Sequence, residues 1–335
     1  MARVRMAFGD GVSTIAPAGA PSVLDAECGV DVLVLEVLGG HLTWNLLSPQ
    51  HLPAAVVDDL DAAGEWLWAV FGEQVAVAAD ERWTGDLDAE STLPELVTDA
   101  RRLAYAHWAA RWWPASVIDG IAALDPRLLE SDIATLTERC ELLVDGADAE
   151  LPVLLPTTSV ARQSDYALAA GGEQADGLIV ARGVGGWDWR GCPPGLVDAS
   201  ERSVSWEVVR ESGTTLVTVR AAAAPEVGSP VPTHLRPRAA LGVDGSTRAE
   251  IDLTLVGDAW VGGGKVPMDT VGTVDIRVPG VGKTGVTAAA DDATVRQHLR
   301  DLARVRLARA ADTDATGFDT PLLAEIAAAT SDEDF

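Results

Sequence analysis

Histidine and carboxylate side chains are the groups with which this chain could do metal chemistry, and they are scattered along it. None of the five histidines belongs to an H-x-x-x-H or H-E-x-x-H pair, which would place two metal ligands on one helix face. His41 and His51 bracket a predicted hairpin, and with Asp58 or Asp59 they are the best set for a metal-dependent hydrolase. Loop positions of this kind usually face solvent. The sequence therefore predicts neither a metal site nor a bound cofactor.

A second candidate is the run Pro279–Thr284, PGVGKT, which resembles the end of the phosphate-binding loop of P-loop NTPases. In that loop, glycines let backbone N–H groups approach the phosphates, while Lys and Thr contact the terminal phosphates and magnesium. Here Arg277 stands where the first glycine of the motif belongs, and too few residues follow to build a parallel sheet. We therefore interpret the run as a hairpin turn.

The three cysteines do not form a recognisable site. Cys28, Cys140 and Cys192 lie far apart in the sequence without a Cys-x-x-Cys pair, so their spacing indicates neither a disulfide framework nor a zinc ribbon. Arg190 lies close to Cys192 and would favour a thiolate, but no histidine is near it in sequence. We interpret Cys192 as structural, and the isolated cysteines predict a cytoplasmic protein.

Tryptophan is the most distinctive residue type, with 11 in the chain against two tyrosines and four phenylalanines. Trp112 and Trp113 end a predicted helix, while Trp187 and Trp189 alternate and are predicted to share one face of a strand. Tryptophan anchors protein interfaces because it buries a large area at small entropic cost. We therefore predict that these four residues bind a partner. Two alternatives are that the indoles are core, or that Trp187 and Trp189 stack on a carbohydrate.

Arginines mark the last long predicted helix. Arg296, Arg300 and Arg304 recur at four-residue spacing on an otherwise acidic chain. This pattern predicts a docking helix for an acidic partner surface. The alternative is that these arginines pair with acidic residues of their own chain, where each exposed pair contributes about 0 to 1 kcal/mol.

Overall charge narrows the class of partner. The formal net charge of −26 opposes binding to nucleic acid phosphates or to anionic membranes, because like charges repel. No run of 18 apolar residues occurs, which is the minimum for a membrane-spanning helix. We therefore expect other protein subunits as partners, and neither nucleic acid nor membrane.

These side chains have to be positioned by an α+β fold. Residues 1–150 predict a mixed α/β domain with a helical hairpin, and residues 151–176 a junction rich in Pro and Gly. Over residues 177–290 the apolar period changes from 3.6 to 2, with alternation at 204–208 and 274–278 and a hairpin turn predicted at Glu211–Gly213. This pattern predicts a mainly antiparallel sandwich or partial barrel. Residues 291–311 predict the arginine-lined helix, and residues 312–335 an acidic tail with a short helix.

Individual elements of the first domain follow from periodicity and turn residues. Gly39 and Gly40 mark a hairpin return, and the first long helix is predicted to begin at Pro53 and continue to Phe71. A strand is predicted at 74–79. The helices of the hairpin are predicted at 94–113 and from Pro126 to about Asp145, each with a proline at its first position.

No constellation along the chain assembles a reaction centre, and the interface-forming residues are numerous. The sequence therefore predicts a non-catalytic adaptor or scaffold that joins protein subunits within a larger bacterial assembly. The alternatives are a metal-dependent hydrolase without a recognisable motif, and a carbohydrate- or ligand-binding module that uses Trp187 and Trp189.

Overall fold

A computed structural model describes residues 2–25, 28–144, 178–225, 227–228, 230–243, 246–266, 271–282, 290–310 and 316–331. The predicted junction at 151–176, the Lys283–Thr284 end of the PGVGKT run and the last four residues lie outside the described residues. The chain divides by its internal contacts into two compact units. The first contains Met1–Trp113, Leu124–Val153 and His298–Phe335, and the second contains Pro114–Ala123 and Leu154–Gln297.

The first unit is built on a six-stranded antiparallel sheet. Its strands run in the spatial order β3-β4-β5-β2-β1-β6. The β1–β2 hairpin turns at Asp10 and Gly11, which both have positive φ, as the turn of a two-residue hairpin requires. The strands are β1 (Ala2–Gly9), β2 (Val12–Pro17), β3 (Val32–Val37), β4 (Gly40–Asn45), β5 (Ala54–Val57) and β6 (Gly85–Ala89).

Four helices complete the N-terminal part of this unit: α1 (Leu60–Phe71), α2 (Glu73–Asp80), α3 (Pro94–Trp112) and α4 (Pro126–Arg139). The prediction that α1 starts at Pro53 is wrong, because residues 54–57 form β5 and the Asp59 side chain caps the helix N-terminus. The strand predicted at 74–79 is also wrong. Val75, Ala78 and Ala79 are buried at helical spacing, so this segment packs as α2. The two prolines begin α3 and α4 as predicted.

The second unit contains two antiparallel sheets. One has the order β11-β10-β14 and the other the order β12-β13-β9-β8-β7. The turn predicted at Glu211–Gly213 is confirmed, since Ser212 and Gly213 adopt positive φ between β8 and β9. The strands are β7 (Leu178–Gly185), β8 (Val204–Glu211), β9 (Thr214–Ala222), β10 (Arg238–Val243), β11 (Ser246–Asp252), β12 (Thr254–Val256), β13 (Ala259–Val266) and β14 (Thr273–Arg277).

The chain ends in two helices, α5 (Ala290–Arg309) and α6 (Leu323–Ser331). The carboxylate of Asp132 accepts hydrogen bonds from the backbone N–H groups of Leu323 and Ala324 at 3.1 and 3.3 Å, and the Arg306 guanidinium pairs with Glu325. These contacts attach α6 to α4 and α5 within the first unit.

The described residues form the α+β fold that the sequence predicts, with an N-terminal α/β part, a later β-rich part and a C-terminal helix. No helix in the described part of the chain has the length and apolarity that crossing a membrane requires.

Candidate protein-binding edge

In the described part of the second unit, exposed aliphatic side chains are concentrated on one edge of the five-stranded sheet. β7 forms this edge, and it pairs only with β8 among the described strands. Four aliphatic side chains on it are 41 to 72% exposed. They are Leu178, Ile179, Val180 and Val184. An exposed, long and hydrophobic edge strand is a template on which another chain can pair.

The remaining sheet edges carry acidic side chains or are very short. Proteins usually protect an edge strand with charged side chains or by making it very short. β6 carries Asp86 and Asp88, β3 carries Glu36, β11 carries Glu250, β14 carries Asp275 and Arg277, and β12 is three residues long. β7 is eight residues long, its one charged residue is Arg182, and its pairing with β8 shifts register between Ile179 and Ala181.

The two faces of β7 differ in chemistry. Val184 and Arg182 lie on one face, where Arg182 is directly opposite Glu207 of β8. On the other face, Gly183 is opposite Trp206, and the indole lies across the glycine. A Cβ added to Gly183 would lie 2.5 Å from the Trp206 ring. The half-buried indole therefore reaches from β8 over β7 towards the open edge.

Trp187 and Trp189 do not form the exposed pair that a carbohydrate would need. Both indoles are buried, and the prediction that they alternate in a strand is wrong, because β7 ends at Gly185 and Trp189 begins a short 3-10 helix. The Trp187 Nε1–H donates to the backbone oxygen of Asp198 at 2.8 Å. These two residues are therefore part of the core of the second unit, and the stacking alternative has no exposed aromatic face at this position.

Asp198 organises the turn into which Trp187 packs. Its carboxylate is fully buried and accepts hydrogen bonds from the Ser116 hydroxyl and from the backbone N–H groups of Val117 and Ser200, at 2.8 to 2.9 Å. Burial raises the pKa of Asp198, and these hydrogen bonds act in the opposite direction. No imidazole takes part in these hydrogen bonds, so they do not form the Ser-His-Asp arrangement of a hydrolase.

Trp112 and Trp113 lie at the C-terminal end of α3 in the first unit, and both are half-buried. The Arg111 guanidinium lies 4.7 Å from the centroid of the Trp112 ring, within the range of a cation–π interaction. Their partial burial leaves each indole only a partial surface for a partner.

The predicted arginine ridge is directed mainly into the protein. Arg296 is buried and its guanidinium binds both carboxylate oxygens of Glu201, at 2.6 and 3.0 Å. Arg300 is also buried. Arg304 is half-exposed and pairs with Asp301 one turn earlier at 2.8 Å. This arrangement matches the alternative in which the arginines pair within their own chain, and it leaves little of the ridge for a partner.

The candidate metal ligands do not converge. No group of three or more His, Cys, Asp or Glu side chains in the described part of the chain is placed to hold a metal ion. Asp59 is committed to capping α1, with its carboxylate accepting hydrogen bonds from the first turn. His51 and Asp58 are exposed, and His41 is half-buried. The hydrolase alternative therefore gains no support at these residues.

Cys192 occupies a buried position next to β14, where its Sγ lies 3.8 Å from the backbone oxygen of Ile276. Arg190 pairs with Asp188 and Asp292 at 2.9 and 2.8 Å. Its charge is therefore neutralised by carboxylates, which agrees with the interpretation of Cys192 as a structural residue.

The sequence alone does not distinguish β7 from the buried strands of the second unit. Its signal was present as the run Leu178–Val180, three consecutive aliphatic residues followed by Arg182 and two glycines with no acidic residue. Such a run reads equally well as a buried strand. Only the position of β7 at the end of the sheet distinguishes the two.

Comparison with known proteins finds no relative of this chain: no family model, no curated protein and no solved structure matches it. The exposed edge of β7 is therefore the feature from which a function can be argued.

Proposed function

We propose that the protein is a non-catalytic adaptor that binds another protein through the open edge of β7. The observation that carries the proposal is the exposure of four aliphatic side chains on a strand that pairs on one side only among the described strands. Complete burial of one side chain of this size is worth about 1.5 to 3 kcal/mol. Covering several of them would supply a substantial part of the free energy of a specific complex.

A protein is the partner class that fits this edge best. An edge strand offers backbone donors and acceptors in a row, and a second polypeptide strand is the ligand that can satisfy them. The net charge of −26 disfavours nucleic acid and anionic membrane surfaces as alternatives. The isolated cysteines favour a reducing compartment, and we propose a cytoplasmic location for the complex.

The test compares two substitutions on opposite edges of the same sheet. Val184 on β7 and Val256 on β12 are 66% and 61% exposed, so lysine at either position should change stability by less than about 0.5 kcal/mol. The full-length chain and the Val184→Lys and Val256→Lys variants are each used to capture partners from the native host, and the stoichiometry of each complex is measured.

We expect a stoichiometric partner with the full-length chain and with Val256→Lys, and its loss with Val184→Lys. The two variants carry the same added charge, so a difference between them reports the position and not the charge. Equal recovery with both variants, or no stoichiometric partner with the unsubstituted chain, contradicts the proposal.

A further inference from the structure

We infer that the β7 edge binds an extended segment of a basic protein, which adds to the five-stranded sheet as a sixth strand and alternates aliphatic with Lys or Arg side chains. This inference rests on the proposed function, because it specifies the chemistry of the partner at the same edge. Three features of the edge lead to it: its backbone, its two faces and the charge of the chain.

The backbone of β7 sets the form of the partner. At about 3.3 Å per residue, its eight residues present an edge about 26 Å long. No other described strand pairs along this side of β7. An extended segment of similar length can hydrogen-bond along it, whereas a helix would leave the backbone donors and acceptors of the edge without partners.

The two faces of β7 set the alternation. On the face that carries Val184 and Arg182, an added strand would place its own side chains beside an exposed valine, which favours aliphatic residues, and beside an arginine, which disfavours Lys or Arg. On the other face, Gly183 leaves the half-buried Trp206 indole next to the edge. A Lys or Arg side chain packs well against an indole face, and its stem covers apolar surface.

The charge of the chain favours the basic partner over a second copy. Two copies would each carry a formal net charge of −26 and would repel each other as they approach. A basic segment is attracted instead, and the attraction increases its association rate at low salt. A homodimer through β7 is therefore an outcome that contradicts the inference.

The experiment measures peptide binding to the full-length protein by fluorescence anisotropy. The probe is an eight-residue peptide of alternating Val and Lys with a fluorophore at one end. Two control peptides isolate its features. One has Glu in place of every Lys, and the other keeps every Lys but has Pro in place of two internal Val residues, where it removes backbone donors.

We expect the Val-Lys peptide to bind at least about tenfold more tightly than either control peptide. Val184→Lys should weaken its binding by about tenfold, whereas Val256→Lys should leave it unchanged within about twofold. Leu178→Lys is a second edge variant with the same expected loss. Thermal melting verifies that every variant is folded, and sedimentation measures the oligomeric state of the unsubstituted chain.

Several results would overturn the inference. They are equal binding of the Lys and Glu peptides, equal binding of the proline peptide, equal effects of the two valine substitutions, and a dimer of the unsubstituted chain that Val184→Lys dissociates. If the host partner is lost with Val184→Lys while the Val-Lys peptide shows no preference, the basic strand is wrong and the adaptor proposal stands. If Val184→Lys reduces neither the capture of the host partner nor the binding of the Val-Lys peptide, the adaptor proposal itself fails.

Discussion

Removal of the Glu325 carboxylate should strongly destabilise the attachment of α6. Glu325 is fully buried, and its two oxygens accept hydrogen bonds from Arg306 Nε and Nη2 at 2.9 and 2.7 Å. They also accept from the Tyr105 hydroxyl at 2.7 Å and from the Leu322 backbone N–H at 2.8 Å. In Glu325→Ala, the buried Arg306 guanidinium loses its carboxylate partner and keeps the backbone oxygens of Phe318 and Thr320 and the neighbouring Tyr105 hydroxyl.

The expected magnitude follows from the burial of this pair. The side chains of Arg306 and Glu325 are 7% and 0% exposed, and breaking a buried ion pair by removing one partner costs about 3 to 5 kcal/mol. The Arg304–Asp301 pair on the same helix is the control, because its side chains are 37% and 56% exposed. Asp301→Asn should cost at most about 1 kcal/mol.

Hydrogen exchange of the full-length chain, read by mass spectrometry on the peptide that covers α6, measures the free energy of opening for each variant. We expect a loss of about 3 to 5 kcal/mol for Glu325→Ala. The double variant Arg306→Met/Glu325→Leu should recover most of this loss, since apolar side chains can replace a buried ion pair. The reasoning is refuted if Glu325→Ala lies within about 1 kcal/mol of the unsubstituted chain, or if the double variant is no more stable than the single one.

Thiol reactivity, the Gly183–Trp206 contact and stability at alkaline pH each provide a further test. At pH 8 Cys28 should react with a disulfide reagent faster than Cys140 and Cys192, because it is exposed and they are buried, and burial raises the pKa of Cys140 to about 12. Partial burial and the charges of Asp25 and Asp31 also raise the pKa of Cys28, so it should react more slowly than it does in the denatured chain. A buried thiol that reacts as fast as Cys28 in the native chain would contradict this. Gly183→Ala should lower the free energy of unfolding in urea by about 1 to 3 kcal/mol, since its Cβ would overlap the Trp206 ring. Gly264→Ala is the control and should lower it little, because there is open space around Gly264. Equal losses for the two variants would show that the overlap is unimportant. Burial raises the pKa of Tyr105 well above its usual range, so the native chain keeps a proton that the unfolded chain loses at about pH 10. The free energy of unfolding should therefore fall as the pH rises above that value. In Tyr105→Phe this fall should be smaller, as measured by urea midpoints from pH 9 to 11.

Local signals in the sequence predicted much of the fold. Prolines begin α3 and α4, alternation of apolar residues predicted β8 and β14, and the Glu211–Gly213 turn is present. The failures arise where tertiary packing overrides a local pattern. The first helix starts at Leu60 and not at Pro53, because residues 54–57 are needed as a strand between β4 and β2.

The candidate binding surface was less predictable than the fold, because the burial of a side chain depends on contacting residues that are distant in sequence. Arg296 pairs with Glu201 and Arg306 with Glu325, so a surface-like arginine pattern is largely internal. Trp187 packs onto Asp198 for the same reason. Composition distinguishes neither case from an exposed binding surface, and the open edge of β7 becomes visible only once the strand order is known.

The central claim is that a partner pairs with the backbone of β7, and hydrogen exchange along residues 178–185 tests it most directly. The exchange of these amides is measured in the full-length chain with and without the partner captured from the host. We predict that the partner slows exchange at alternate amides of β7 and leaves β12 unchanged. Slowed exchange elsewhere in the chain, with β7 exchanging as it does alone, would contradict the claim.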